Sequence, residues 1–236
     1  MKKNFLLVVV FLITSIINSN AQDYLLKEKV FQNDLTQSQN FVNVVNWSVI
    51  NTVDFEKEIS QKNEKTASIT ININAILHKR DESATRFINY LSRFSLKIDC
   101  RDNRYRVIFQ NPQINLKSDV EDLSSLSTGS LERAIKEMEA VVRISENYFN
   151  ELPYWDYNKV ISIIEQKKIR KEEINKEIVS LGKDRRNRRE VRAANEEYND
   201  LENELIVLNE AITRMEIFIS TLFVDLESAV NFVDDF

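Results

Sequence analysis

Two hydrophobic periods divide the chain. Between residues 22 and 118, apolar and polar residues alternate with a period of two, which is typical of half-buried strands. Between residues 130 and 236, apolar residues recur at alternating spacings of three and four, which is typical of helices that pack along a seam. The polar, serine-rich stretch 117–129 indicates a linker. The pattern predicts an α+β domain over 22–116 and an all-α helical hairpin, bundle or coiled-coil region over 130–236.

Three strands are predicted in the first region. The clearest runs from Ile69 to Leu77, with β-branched residues at every second position. A second runs from Ile88 to Cys100 and a third from Tyr105 to Phe109. Asp102-Asn103 favours a tight hairpin turn between the last two strands, because both residues tolerate turn conformations. That turn pairs residues whose numbers sum to 205, which puts the apolar side chains of both strands on one face.

A helix is predicted before these strands. Apolar residues at helical spacing, with Trp47 among them, indicate a helix over Ser38–Val53, and Tyr24–Phe31 indicates a strand ahead of it. A sheet with one apolar face must cover that face, and helices are the available cover. The first region is therefore predicted to be a two-layer domain with an antiparallel sheet and a helix.

The first region also resembles a known family. The residues that carry the resemblance are the helix NFVNVVNWSVINTV, the strand TASITININ and the hairpin FSLKIDCRDNRYRVIFQNPQI. They resemble small exported bacterial proteins of domain of unknown function 4468, over residues 22–116. The resemblance implies a TATA-box-binding-protein-like fold. It implies no catalytic residues and no DNA binding, because function must be argued from a site.

The second region contains a long seam of apolar residues from Val191 to Val233. Two earlier helices are predicted, one over Asn158–Leu181 and one whose apolar positions are Leu131, Ile135, Met138, Val142, Phe149 and Leu152. Lys167 and Lys171 fall on the seam of the Asn158–Leu181 helix. Gly182 favours an antiparallel hairpin over one uninterrupted helix, because a helix C-cap adopts positive φ. Packing of the seam within one chain is favoured over a homo-oligomer, because two other helices need cover.

The composition excludes most enzyme classes. The chain has two Gly, one Cys and one His. Walker loops, dinucleotide-binding turns and nucleophile elbows all need Gly at fixed positions. One His and one Cys cannot supply the usual zinc sites. We therefore expect no enzymatic activity, no cofactor and no metal site, and we expect Cys100 to be a buried, inert thiol.

The N-terminus predicts a secretory signal peptide over residues 1–21. Lys2-Lys3 precedes an apolar run from Phe5 to Ile17, and Ser19-Asn20-Ala21 offers small residues for cleavage. The alternative, a membrane anchor, is disfavoured because a span needs about 20 apolar residues. We expect an exported, periplasmic or secreted protein with no transmembrane segment after cleavage. The acidic mature chain also argues against a nucleic-acid partner.

Two surfaces are candidates for binding an anionic ligand or a partner protein. The first is the polar face of the sheet, with Asn72, Asn74, Lys97, Arg101, Arg104 and Arg106. If the helical region leaves this face exposed, it would be a binding surface. If the helical region covers it, these residues would lie between layers or at their rim. The second is a basic tip, with Lys183, Arg185, Arg186, Arg188 and Arg189. A solvated hairpin end is the favoured interpretation of the tip.

These observations favour a non-catalytic exported binding or scaffold protein of unknown ligand, whose helices mediate association within or between chains. The alternative is a periplasmic hydrolase that uses carboxylates alone. Asp99 and Asp102 are the candidate pair of catalytic carboxylates for such a hydrolase. They flank the predicted hairpin turn, however, where Asp is common for structural reasons.

Overall fold

The computed structural model describes residues 28–52, 55–77, 88–118, 128–150, 152–182 and 185–231. The strands are β1 (Glu28–Gln32), β2 (Phe55–Asn63), β3 (Ser68–Ile76), β4 (Ile88–Arg101), β5 (Arg104–Ser118) and β6 (Trp155–Asp156). The helices are α1 (Gln37–Val49), α2 (Thr128–Phe149), α3 (Tyr157–Leu181) and α4 (Arg188–Asn231). The predicted signal peptide and residues 119–127 of the predicted linker lie outside the described residues.

The strands form one antiparallel sheet, which confirms the predicted α+β fold class. The strand order is β1-β5-β4-β3-β2, and β6 pairs with β5 near Ile114. β3, β4 and β5 are the three predicted strands. β2 and β6 were not individually predicted, because β2 has only two apolar residues, Phe55 and Ile59, and β6 has only two residues in all.

The predicted alternation holds along the central strands. Every second residue from Ile69 to Leu77 on β3 and from Ile88 to Cys100 on β4 is buried. β4 ends at Arg101 and β5 begins at Arg104, so the two-residue turn lies at Asp102-Asn103, and Asn103 has a φ of 59°. The register deduced from the sequence agrees with these strand ends.

β5 continues beyond the predicted strand through a local irregularity at Asn111. Burial falls on odd positions from Tyr105 to Phe109 and on even positions from Pro112 to Leu116. Asn111, between the two series, has a φ of 51°. One extra residue in left-handed conformation that reverses the facing of a strand is a β-bulge. The bulge keeps both ends of the strand facing the core.

The described residues belong to two compact units. Unit 1 comprises those within Met1–Ile73, Phe94–Gln110 and Ile219–Phe236, and unit 2 those within Asn74–Arg93 and Asn111–Phe218. Both units draw on both halves of the sequence, since β3, β4, β5 and α4 contribute residues to each.

Unit 1 contains α1 and the last turns of α4. Thr36 caps α1 in a capping box with Gln39. The helix ends at Val49 rather than at the predicted Val53, because Ile50 is extended. The indole nitrogen of Trp47 donates to Asp225 of α4 at 2.7 Å. This hydrogen bond joins α1 to α4 within unit 1.

Unit 2 contains a helical hairpin, the arrangement favoured by the sequence. Gly182 caps α3 with a φ of 61°. Lys167 of α3 pairs with Glu204 of α4, and Arg170 of α3 pairs with Glu197 at 3.0 Å. The partner number on α4 falls as the number on α3 rises, which identifies an antiparallel pair.

The buried face of α2 differs from the predicted one. Ala134, Val141 and Ile144 are buried, whereas Ile135 is 42% and Val142 is 53% exposed. The sequence pattern favoured the larger side chains and gave Ala no weight. The observed helix also buries the predicted Phe149.

The middle of the α4 seam is buried in the single chain. Leu205, Leu208, Ile212 and Met215 are all less than 9% exposed. Within the described part of the chain, no helix combines the length and apolar character that crossing a membrane requires.

Candidate binding surfaces

The alternation of β4 and β5 places polar side chains on the sheet face opposite the core, which we call the outer face. Arg101, Arg104 and Arg106 are exposed on it, and Lys97 is half-buried. The sequence left open whether the helical region covers this face. In the single chain these side chains are accessible to solvent. The outer face is therefore a candidate binding surface.

Acidic neighbours neutralise one part of the outer face. Arg106 donates to Asp99 at 2.7 Å and lies 3.7 Å from Glu28 of β1. The hydrogen bond to Asp99 is the largest cause of the raised pKa of Arg106. Lys97 lies 3.8 Å from the other oxygen of Asp99. This part of the surface is an ion-pair network.

Arg101 and Arg104 form a different arrangement, the arginine pair. They flank the two-residue turn, which makes them cross-strand neighbours on the outer face. Among the described residues neither has an ion-pair partner. The adjacent Asp102 is occupied elsewhere, because its carboxylate accepts from the backbone nitrogen of Gln37 at 2.7 Å. The arginine pair is thus the uncompensated positive part of the face.

The two asparagines predicted for this surface lie on β3. Asn72 is half-buried and accepts from the Ser95 hydroxyl at 2.8 Å, so it belongs to the polar packing of unit 1. Asn74 is exposed and belongs to unit 2. Neither contributes charge to the arginine pair.

The basic tip is only partly described. Lys183 lies outside the described residues, and so does the side chain of Arg185. Arg186, Arg188 and Arg189 are exposed. The backbone carbonyl of Leu181, at the end of α3, accepts a hydrogen bond from the side-chain amide of Asn187 at 3.0 Å.

Each unit also contains a groove. In unit 2 a groove of about 590 Å³ lies between α3 and α4, and Lys171 crosses it to Glu202 with its ammonium 4.7 Å from the Tyr198 ring. In unit 1 a groove of about 360 Å³ lies between α1 and the β2–β3 turn, with Phe41 and Ala67 among its walls.

The candidate catalytic groups are engaged in structural contacts. Asp99 binds Arg106, and Asp102 binds the start of α1. Burial raises the pKa of the Cys100 thiol to about 12, with a smaller contribution from Asp99, which keeps the thiol protonated. Within the described ranges, no group of three His, Cys, Asp or Glu residues could hold a metal ion.

Two buried charged groups were not singled out from the sequence. Lys57 of β2 points inward with its ammonium 4.1 Å from the Trp47 ring, and burial lowers its pKa to about 8 despite the opposing charge of Asp225. Glu204 of α4 binds the buried Lys167 of α3. The sequence contained a signal for each group. For Lys57 it was the alternation Phe55, Lys57, Ile59 along a strand, and for the Glu204–Lys167 pair it was a lysine at a seam position of a helix.

Known proteins provide few comparisons. No protein-family model matches the sequence, and no curated protein matches it. A solved structure of a DUF4468 family protein from Bacteroides ovatus ATCC 8483 is similar at 14% identity and a TM-score of 0.31, over 50% of this chain and 83% of that one.

A TBP-like protein from Parabacteroides distasonis ATCC 8503 is similar at 12% identity and a TM-score of 0.29, over 52% of this chain and 86% of that one. These similarities concern the fold alone.

Proposed function

We propose that the protein is a non-catalytic exported binding module, and that the arginine pair on the outer face of the sheet contacts an anionic ligand or an acidic segment of a partner protein. Export rests on the signal-like N-terminus, Lys2-Lys3 followed by an apolar run. N-terminal sequencing should find Gln22 at the start of the mature protein, and Met1 retained on a membrane-bound protein would contradict it.

The observation that carries the proposal is the juxtaposition of Arg101 and Arg104. Like charges directly opposite each other on neighbouring strands disfavour the sheet. An anion that bridges two guanidinium groups removes this repulsion and gains charge-assisted hydrogen bonds. The neighbouring Arg106 is already paired with Asp99 and Glu28, whereas neither arginine of the arginine pair has a carboxylate partner among the described residues.

The net charge of the chain makes such a surface selective. The whole chain carries a formal charge of −5, so a polyanion is repelled by most of the surface. Attraction of an anion is therefore confined to local positive sites. The arginine pair is one such site, and it lies on two neighbouring strands, β4 and β5. A ligand with a small cluster of carboxylate or sulfate groups fits this distribution better than a long, uniformly charged polymer.

The test is titration of the mature protein with two probes, a short oligoglutamate and a heparin-derived oligosaccharide, at low salt. The double variant Arg101→Ala/Arg104→Ala should weaken binding of the preferred probe about tenfold. Arg188→Ala/Arg189→Ala, which removes the same charge from exposed positions at the tip, should change it less than about twofold.

Equal losses in the two double variants would mean that net charge, and not the arginine pair, governs binding. Absence of measurable binding of either probe would contradict an anionic partner.

A further inference from the structure

Glu204 of α4 is a buried carboxylate that joins three helices. It is 5% exposed. One oxygen accepts from Lys167 of α3, which is 4% exposed, and the other accepts from Arg143 of α2 at 3.0 Å. The Lys167 ammonium also lies 3.3 Å from the hydroxyl oxygen of Tyr148, again on α2. We call Arg143, Tyr148, Lys167 and Glu204 the Glu204 cluster.

The apolar pattern of α2 allows two ways of packing. The buried stripe contains Ala134, Val141 and Ile144. A second stripe, with Ile135, Met138 and Val142, is displaced by one residue, which is about 100° around a helix. Burial of the second stripe would remove a comparable apolar surface from water, because Ile135 and Met138 would be buried in place of Ala134 and Ile144. Hydrophobic burial alone therefore does not explain the observed face.

The Glu204 cluster distinguishes the two packings. Arg143 of α2 contacts Glu204 and Tyr148 of α2 contacts Lys167, and a rotation of α2 by one residue, about 100°, would displace both side chains from these partners. The buried Lys167–Glu204 pair would then lose its hydrogen bonds to α2. A buried carboxylate with fewer partners is strongly disfavoured, whereas apolar side chains tolerate many arrangements.

We propose that the Glu204 cluster selects which face of α2 is buried, and that without it α2 packs through Ile135, Met138 and Val142. α2 is then an element with two arrangements, and the ionic cluster determines which one is populated. This proposal is independent of the function of the arginine pair.

The experiment measures the accessibility of single cysteines on the two faces of α2. Ile135→Cys and Ile144→Cys are each made in a Cys100→Ser background, and their rates of reaction with a soluble aromatic disulfide are compared. In the otherwise unchanged protein, Ile135→Cys should react about tenfold faster or more, because reaction at Ile144 requires local opening.

The cluster is then removed by Lys167→Met/Glu204→Leu, with Arg143 kept because it also pairs with Asp200 at 3.2 Å. The order of the two rates should reverse. The matched control is Lys171→Met/Glu202→Leu, which removes a half-exposed pair between α3 and α4 and should leave the order unchanged.

An unchanged order in a folded Lys167→Met/Glu204→Leu variant would overturn the proposal. Failure of that variant to fold, judged by circular dichroism, would also contradict it, because two apolar residues in place of the pair should support the alternative packing. Reversal in the control would show that any loss of ion pairs in the hairpin moves α2, which again excludes a special role for Glu204.

Discussion

At the scale of single residues, Tyr105 contains a polar atom that the fold leaves unsatisfied. Its hydroxyl is fully buried and has no hydrogen-bond partner among the described residues. Burial raises its pKa, with smaller contributions from Glu227 and Cys100. The ring stacks on Phe31 with centroids 4.8 Å apart. Tyr105 therefore contributes through its ring, and its hydroxyl opposes folding.

Tyr157 provides the matched comparison, because it is also buried but its hydroxyl is hydrogen-bonded to Glu216. Tyr105→Phe should leave the free energy of unfolding unchanged or raise it by about 1 kcal/mol, whereas Tyr157→Phe should lower it by about 1–2 kcal/mol. Urea unfolding of the two variants measures both effects. A loss in Tyr105→Phe as large as that in Tyr157→Phe would show that the Tyr105 hydroxyl has a partner in solution.

At the scale of elements, β2 shows how the sheet protects an edge. It is the last strand of the main sheet order, and its exposed residues include Glu56 and Glu58. Lys57 points inward, with its ammonium 4.1 Å from Trp47 and 5.2 Å from Phe55. Inward-pointing charges on an edge strand disfavour edge-to-edge association. The same burial makes Lys57 costly in the folded state while it is charged.

This cost predicts a pH-dependent effect of Lys57→Met. The folded-state pKa of Lys57, about 8, lies below its usual 10.5, so unfolding takes up a proton between these values. The free energy of unfolding of the wild-type protein therefore rises as pH increases from about 8 to 10.5, because Lys57 loses its charge in the folded state first. Lys57→Met should be more stable than wild type at pH 7, and the difference should shrink by pH 10.

Denaturant unfolding at pH 7 and pH 10 measures the difference, with Lys65→Met in the exposed β2–β3 turn as the control. Asp225 is the acidic group that partly offsets the cost. A gain in Lys57→Met of the same size at both pH values would show that packing, and not charge, produces it.

The same elements show what the sequence could and could not predict. β3, β4 and the turn at Asp102-Asn103 were predictable because buried alternation and turn chemistry depend on local sequence. β2 was not, because an edge strand needs few apolar residues. The face of α2 was mispredicted, since a helix with two apolar stripes is oriented by tertiary contacts, such as that of Arg143 with Glu204.

The candidate binding surface was predictable to a similar extent. The alternation placed Arg101 and Arg104 on the polar face, and the turn placed them beside each other. It could not show that Asp99 binds Arg106 and leaves the arginine pair without a counter-charge. That distinction depends on side-chain geometry and not on the pattern of residue types.

At the scale of the whole molecule, the burial of the α4 seam predicts a monomer. Leu208 is fully buried in the single chain, whereas its near neighbour Ile206 is 49% exposed. Leu208→Asp buries an unpaired charge and should cost about 4 kcal/mol, while Ile206→Asp should cost less than about 1 kcal/mol. Thermal unfolding compares the two variants, and sedimentation velocity reports the oligomeric state.

Wild-type protein should sediment as a monomer, with a melting temperature that does not depend on concentration. A wild-type dimer that Leu208→Asp dissociates into folded monomers would overturn this expectation and make self-association the role of the seam.

The hydrogen bond from Trp47 to Asp225 also has a consequence for biosynthesis. The two residues are 178 positions apart, and Asn43 of the same helix donates to the carbonyl of Val230 at 2.7 Å. A ribosome delivers residues in sequence order, so α1 is made well before its partners Asp225 and Val230. Unit 1 therefore cannot be completed before these two residues have been translated. The nascent protein must keep an unfinished core until then.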